Sequence, residues 1–185
     1  MTVIICVAVI ILDQVSKYFA DTMIAGGSTV PLIPGVLELA NVHNAGVAWG
    51  MLQGGRWIFI VLTVVVSAIL VYYLFFRKDQ LGTLARGSLS LILAGAVGNL
   101  IDRACLGYVR DMIYVSAIHF PVFNIADSAV TVGAVLLLID TIKGGPRSFF
   151  NAIGISDEKK ESGKETVDGE SVQHETDHGE TNDDQ

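Results

Sequence analysis

The chain has 185 residues, 51% of them hydrophobic, a formal net charge of −7 and a mean hydropathy of +0.54. The charge is split: Ser156 to Gln185 carries eleven acids and three lysines, net −8, whereas residues 1–155 carry eight acids and nine lysines and arginines, net +1. This excludes a basic, nucleic-acid-binding surface, and two cysteines, Cys6 and Cys105, exclude a disulfide or metal framework.

A helix crossing a bilayer needs about 20 mostly apolar residues, and the first candidate is Val3–Ala20, apolar but for Asp13, Gln14 and Lys17. It lacks the basic start of a secretory signal, and its apolar run meets Asp13 before any small-residue cleavage pattern, so a retained helix is expected. Pro31, Pro34 and Gly35 then precede an alternating stretch, Val36–Asn44, read as a short strand or two over the bundle mouth. The second span, Trp57–Phe76, contains no charge. The third, Leu84–Ile101, is small-residue rich; Ala94, Gly95 and Gly98 offer a face for close helix packing. It ends in GNLIDR, residues 98–103, which sets Asn99, Asp102 and Arg103 at the edge of an apolar segment.

Gly107 permits a turn, after which YVRDMIYV, residues 108–115, reads as extended. Alternation puts Val109, Asp111, Ile113 and Val115 on one face and Arg110, Met112 and Tyr114 on the other, so Asp111 is expected to point inward among aliphatic side chains. A carboxylate there needs a partner or carries a raised pKa, and Asp127 is the nearest candidate along the chain. The fourth span, Phe123–Ile142, has Asn124 and Asp127 early and Asp140 late, the last read as interfacial. The expected organisation is a membrane domain over residues 1–150 and an acidic tail over 151–185, too charged and too poor in apolar residues to fold alone.

Orientation follows from the short loops. Arg77, Lys78, Arg86, Lys143 and Arg147 lie on one side, against Arg56, Arg103 and Arg110 on the other, which puts both termini in the cytoplasm. Seven polar groups from three spans then share the outer level: Asp13, Lys17, Asn99, Asp102, Arg103, Asn124 and Asp127. Within each span they are three or four residues apart, hence on one helix face. Each set also has a plain reading: an ion pair, a helix end reaching water, a helix N-cap. Their common depth points instead to a site, because lipid excludes such groups unless they face a bundle interior. Two inward carboxylates beside water suit acid–base chemistry on water, one protonated and the other a base. A proton- or ion-coupled transporter and a non-catalytic scaffold are the alternatives; against the first, the charges sit at one edge and no inverted repeat is visible.

Five blocks in order, LDQVSK (12–17), NAGVAW (44–49), GNLIDR (98–103), GYVRDMI (107–113) and FNIADS (123–128), resemble the lipoprotein signal peptidase family, signal peptidase II, across residues 4–145. The resemblance implies an all-α polytopic membrane protein: four transmembrane helices with a small extracytoplasmic β-rich cradle, in the inner membrane of a bacterium. It implies an aspartic endopeptidase that removes signal peptides from diacylglyceryl-modified prolipoproteins, cutting just before the lipidated cysteine, as a monomer. No metal, cofactor or nucleic acid is expected; substrate and membrane lipid are the partners. Position by position, Asp111 and Asp127 match the catalytic dyad, and Asp13, Lys17, Asn44, Asn99, Asp102, Arg103, Asn124 and Ala126 match positions that shape the site and hold substrate. Departures from the family pattern are Met112, Trp49 and Val47, a short segment between the two aspartates, and the acidic tail.

Overall fold

The computed structural model describes residues 1–46 and 56–154; Val47, Trp49 and most of the acidic tail lie outside them. Four helices are long and apolar enough to cross a membrane: α1 (Thr2–Met23), α2 (Arg56–Val71, continued by a π-helical turn, Tyr72–Phe76), α3 (Thr83–Cys105) and α4 (Ile125–Lys143). All four expected spans are present. The third runs on through Asp102 and Arg103 to Cys105, because a helix satisfies its own backbone groups in lipid and at the boundary alike.

Helix α3 is the central element: α1, α2 and α4 all pack on it. The small residues make this possible. A β-carbon on Gly95 would run into the Ala126 carbonyl oxygen and stand 2.7 Å from Val130 Cγ2, and one on Gly133 of α4 would lie 2.8 Å from the Ser88 carbonyl oxygen. At the end of the bundle far from the polar blocks, Leu70, Leu74, Leu81, Ala85, Leu89 and Leu93 form an apolar core. A short helix, α5 (Phe149–Ala152), closes that end, with Phe149 edge-on to Tyr73 at 5.6 Å. Asp140, read from sequence as interfacial, lies at that end of α4. It is buried and accepts the Phe149 N–H at 2.9 Å, which ties α5 to α4.

At the polar end lies a three-stranded antiparallel sheet of β1 (Thr29–Ile33), β2 (Leu37–Asn44) and β3 (Val109–Tyr114), in the order β1-β2-β3. The β1–β2 hairpin turns at Gly35, where φ is +73°. Between β2 and β3 the register shifts: Leu39 faces Ile113, but Val42 faces Asp111, so Ala40 and Asn41 together oppose Met112. This bulge matters because side-chain direction alternates strictly. With the extra residue, Asn44 shares the face of Asp111; without it His43 would.

Candidate active site

Three local devices deliver the polar side chains to one place. First, the chain leaving β3 turns back through Ser116–Ile118 and His119, which adopts φ +49°, and Phe123 pairs with Ile113. The Met112 and Ile113 N–H groups both donate to the Phe123 carbonyl, at 3.0 and 2.8 Å. That pairing places the start of α4 beside Asp111.

Second, Asn124 caps α4. Its Oδ1 accepts the Asp127 N–H at 2.9 Å, and Asp127 Oδ2 accepts the Asn124 N–H at 3.2 Å, a reciprocal capping box. The Asn124 amide nitrogen then donates to Asp111 Oδ1 at 2.7 Å. One asparagine thus contacts both carboxylates. Third, Asn44 is fixed by the Gly46 N–H on its Oδ1 (3.0 Å), which turns its Nδ2 to Asp111 Oδ2 at 3.0 Å.

Behind them lies a buried ion cluster. Lys17 Nζ, fully buried, donates to Asp13 Oδ2 at 2.8 Å, Asn99 Oδ1 at 3.0 Å and Asp102 Oδ2 at 3.3 Å, which uses its three protons. Asn99 Oδ1 also accepts from Asn124 at 3.1 Å, so the Asn99 amide nitrogen faces Asp127 Oδ1, at 2.7 Å. Asp13 Oδ1 accepts the Ala126 N–H at 2.9 Å. Ala126 is fully buried, and its methyl group approaches Gly98 of α3 closely enough that nothing larger fits.

Asp111 and Asp127 line a single cleft of about 530 Å³, with Asn44, Arg103, Ser128 and Thr131 and an apolar wall that includes Val109, Val122, Phe123 and Val132. A volume of this size accommodates a short stretch of extended chain. The Arg103 guanidinium lies over the Phe59 ring at 5.3 Å. Among the described residues, neither cleft carboxylate is within salt-bridge distance of a cation. Their contacting donors are amides. Neutral donors orient a carboxyl group without forcing it to ionise, which a contacting cation would do.

Burial, with the nearby Asp127 charge, pushes Asp111 up to about 6 against the pull of the Asn44 and Asn124 amides. The surroundings thus differ from the aliphatic ones expected from strand alternation: amides from β2 and α4 face the carboxylate. Met112 is nevertheless buried on the opposite face, so the strand is covered on both sides.

Of the residues singled out from the sequence, Asn44, Asn99, Arg103, Asp111, Asn124 and Asp127 reach the cleft or touch its carboxylates. Asp13, Lys17, Asp102 and Ala126 form the layer behind it. Asp102 and Arg103, adjacent in sequence, diverge: Asp102 faces α1 and β3, and Arg103 faces the cleft. Two partners of the buried layer were not among those residues. Gln14 donates to Asp13, the Gly98 carbonyl and Asp102, and Arg110 pairs with Asp102. Their signal, a polar side chain on the polar face of the first span and a cation beside Asp111, is legible only once strand and helix are known to touch.

Four spanning helices with two buried carboxylates in a cleft at one end define a polytopic membrane protein with a polar site at one end of its bundle. The profile described as Signal peptidase (SPase) II matches residues 5–143. The lipoprotein signal peptidase of Lactiplantibacillus plantarum is 39% identical over 140 residues, covering 76% of this chain and 93% of that protein. That of Brevibacillus brevis is 42% identical over 145 residues, 78% and 96% of the two chains. A solved structure described as a bacterial membrane enzyme, determined by the in meso method at 2.3 Å resolution, aligns with a TM-score of 0.71 and 39% identity over 77% of this chain and 87% of that one. The chain belongs to the signal peptidase II family, and the transporter alternative finds no support.

Proposed function

We propose that Asp111 and Asp127 are the catalytic pair of an aspartic endopeptidase that cuts diacylglyceryl-modified prolipoproteins just before the lipidated cysteine. The observation that carries this reading is their shared cleft, at whose edge Asn124 bonds both carboxylates, Asp111 through its side-chain amide and Asp127 through its backbone N–H. Two carboxyl groups held together share a proton more readily than they both ionise. The ionised member takes a proton from water while the water oxygen bonds to the scissile carbonyl carbon. The protonated member donates to the carbonyl oxygen. As the tetrahedral intermediate collapses, the C–N bond breaks and a proton passes to the leaving amine. The pair titrates as a unit.

A signal peptide arrives as a helix, and its scissile amide must become extended before water can reach it. The freed backbone groups then need partners. Asn44 and Arg103 line the cleft where such partners are required. The apolar wall of the cleft ends on α4 at Val132, which is 51% exposed on the lipid-facing side, so acyl chains of the modified cysteine can remain in hydrocarbon. Binding energy from those chains is remote from the cut bond and available to stabilise the transition state. The working unit is a monomer. It faces the extracytoplasmic side of a bacterial inner membrane, with both termini cytoplasmic, in keeping with the excess of Arg and Lys at the opposite end.

Cleavage of a diacylglyceryl-modified precursor by the purified protein tests the assignment. Asp111→Asn and Asp127→Asn should each abolish the shortened product while the protein remains folded in detergent. Turnover in either single variant would refute the pair.

A further inference from the structure

We propose that Arg110 is a positioning residue for cleavage: by bridging α1 and α3 it fixes β3 and so sets where Asp111 stands relative to Asp127. The proposal rests on the reading of those two aspartates as the reacting pair. Arg110 neighbours Asp111 in the strand but points to the opposite face, away from the cleft, and does not line it. Its Nη2 donates to Asp102 Oδ1 at 2.7 Å and Gln14 Oε1 at 3.0 Å, and its own N–H donates to Asp102 Oδ2 at 3.0 Å. Gln14 is anchored in turn, since its Nε2 donates to the Gly98 carbonyl at 3.1 Å. Side chain and backbone of one residue are therefore tied to two helices.

The same Asp102 accepts from Lys17, and Lys17 holds Asn99, which holds Asp127. The two carboxylates thus refer to one buried fixture: Asp127 through Lys17 and Asn99, Asp111 through Arg110 and the strand. The link is closed at the site itself, where the Arg110 carbonyl accepts from Asn124 Nδ2 at 3.4 Å, the amide that also reaches Asp111. A shared proton depends steeply on the separation of its two owners, so slack in β3 alters chemistry before it alters the fold. Lysine is not a substitute. One ammonium on a flexible stem cannot reproduce the planar fork in which Nε and Nη2 reach the two oxygens of Asp102, at 3.4 and 2.7 Å, while Nη2 also meets Gln14.

The ionisable groups around Arg110 are Asp102, Lys17, Asp13 and Asp21 from the helices and His43 across the strand pair. None of them lines the cleft. A change in the pH profile of an Arg110 variant therefore reports on the cleft pair when the variants below agree.

The test compares Arg110→Gln, Arg110→Lys and Gln14→Met with the parent and with Asp111→Asn, each as the full chain, in detergent with a diacylglyceryl-modified precursor. Arg110→Gln should lower kcat by about tenfold or more with KM within about twofold, and should displace the alkaline limb of kcat/KM by about half a pH unit or more. Arg110→Lys should remain close to Arg110→Gln. Gln14→Met keeps the Asp102 ion pair, so it remains testable if the Arg110 variants do not fold; it should show a smaller change of the same kind. Parental kcat in Arg110→Gln overturns the proposal, as does a loss that leaves the pH limbs in place and is restored by lysine, since that pattern marks support of the fold alone. For Gln14→Met, an unmoved limb and parental kcat overturn it equally. If Asp111→Asn is silent and Arg110→Gln is normal, only the positioning role fails; if Asp111→Asn turns over, the dyad itself fails.

Discussion

Asp111 is 4% exposed and is bonded by two amides, so burial dominates its titration. Unfolded, an aspartate titrates near 4; folded, this one is pushed up to about 6. Between those values the folded chain binds the extra proton. The stability that Asp111 contributes is therefore complete below about pH 4 and is lost as pH rises through about 6, by up to roughly 3 kcal/mol. Unfolding midpoints in detergent should fall across this window in the parent and run flatter in Asp111→Asn; parallel slopes would place the titrating group elsewhere. In activity, loss of the shared proton gives kcat/KM an alkaline limb above the ordinary carboxylate range. The limb in kcat should lie higher, because bound substrate removes further water from the pair. Asn44→Leu removes a donor that favours the charged form, so it should move the kcat/KM limb to higher pH. At this scale the two aspartates were legible, because a carboxylate in an apolar strand and another in a helix's first turn both demand a reason. From sequence Arg110 counted as an outer-side charge and as a residue on the strand face opposite Asp111: nothing local says that its side chain crosses to Gln14 of the first helix, 96 residues away.

Helix-level features divide along similar lines. Hydropathy located the four spans, because length and apolarity are properties of the segment itself. The small-residue face of α3 was legible for the same reason, and its use is now specific. Gly95→Ala forces a β-carbon against the Ala126 carbonyl, backbone that cannot turn aside, whereas a β-carbon on Gly87 of the same helix meets nothing within 4 Å. Gly95→Ala should cost about 1–3 kcal/mol, seen as a lower unfolding midpoint, and should depress cleavage because Ala126 sits one residue from Asp127. Gly87→Ala should hold or raise the midpoint, since alanine is the better helix former by about 1 kcal/mol. Equal midpoints in the two variants would mean that the α3–α4 approach is looser than these distances imply. The bulge in β2 was not legible. Val36–Asn44 reads as a short alternating strand or two, and only pairing with β3 reveals that Ala40 and Asn41 share a single partner, which decides that Asn44 and not His43 reaches the cleft. Helix α5 escaped notice because four residues carry no periodicity, and with it the partner of Asp140, the Phe149 N–H.

For the molecule as a whole, large apolar side chains face outward along α1, α4 and α2 with its π-helical continuation, which surround α3: Ile4 is 73% exposed, Trp57 70%, Phe76 76% and Ile142 75%. A water-soluble protein would hide such a surface; a bilayer covers it. What geometry alone leaves undirected is which end faces the cytoplasm, and there the argument is electrostatic: Arg77, Lys78, Arg86, Lys143 and Arg147 gather at the end away from the cleft. The chain carries its own reporter. Cys105 is exposed at the end of α3 beside the sheet, whereas Cys6 is half-buried in α1 and donates to the Ser90 carbonyl at 3.5 Å. A maleimide that cannot cross membranes should label intact cells through Cys105, and Cys105→Ser should remove the signal. In that background Lys78→Cys, exposed at the opposite end, should label only after the inner leaflet is opened. Labelling in the reverse order would put the cleft on the cytoplasmic side, where a precursor awaiting cleavage after export could not reach it.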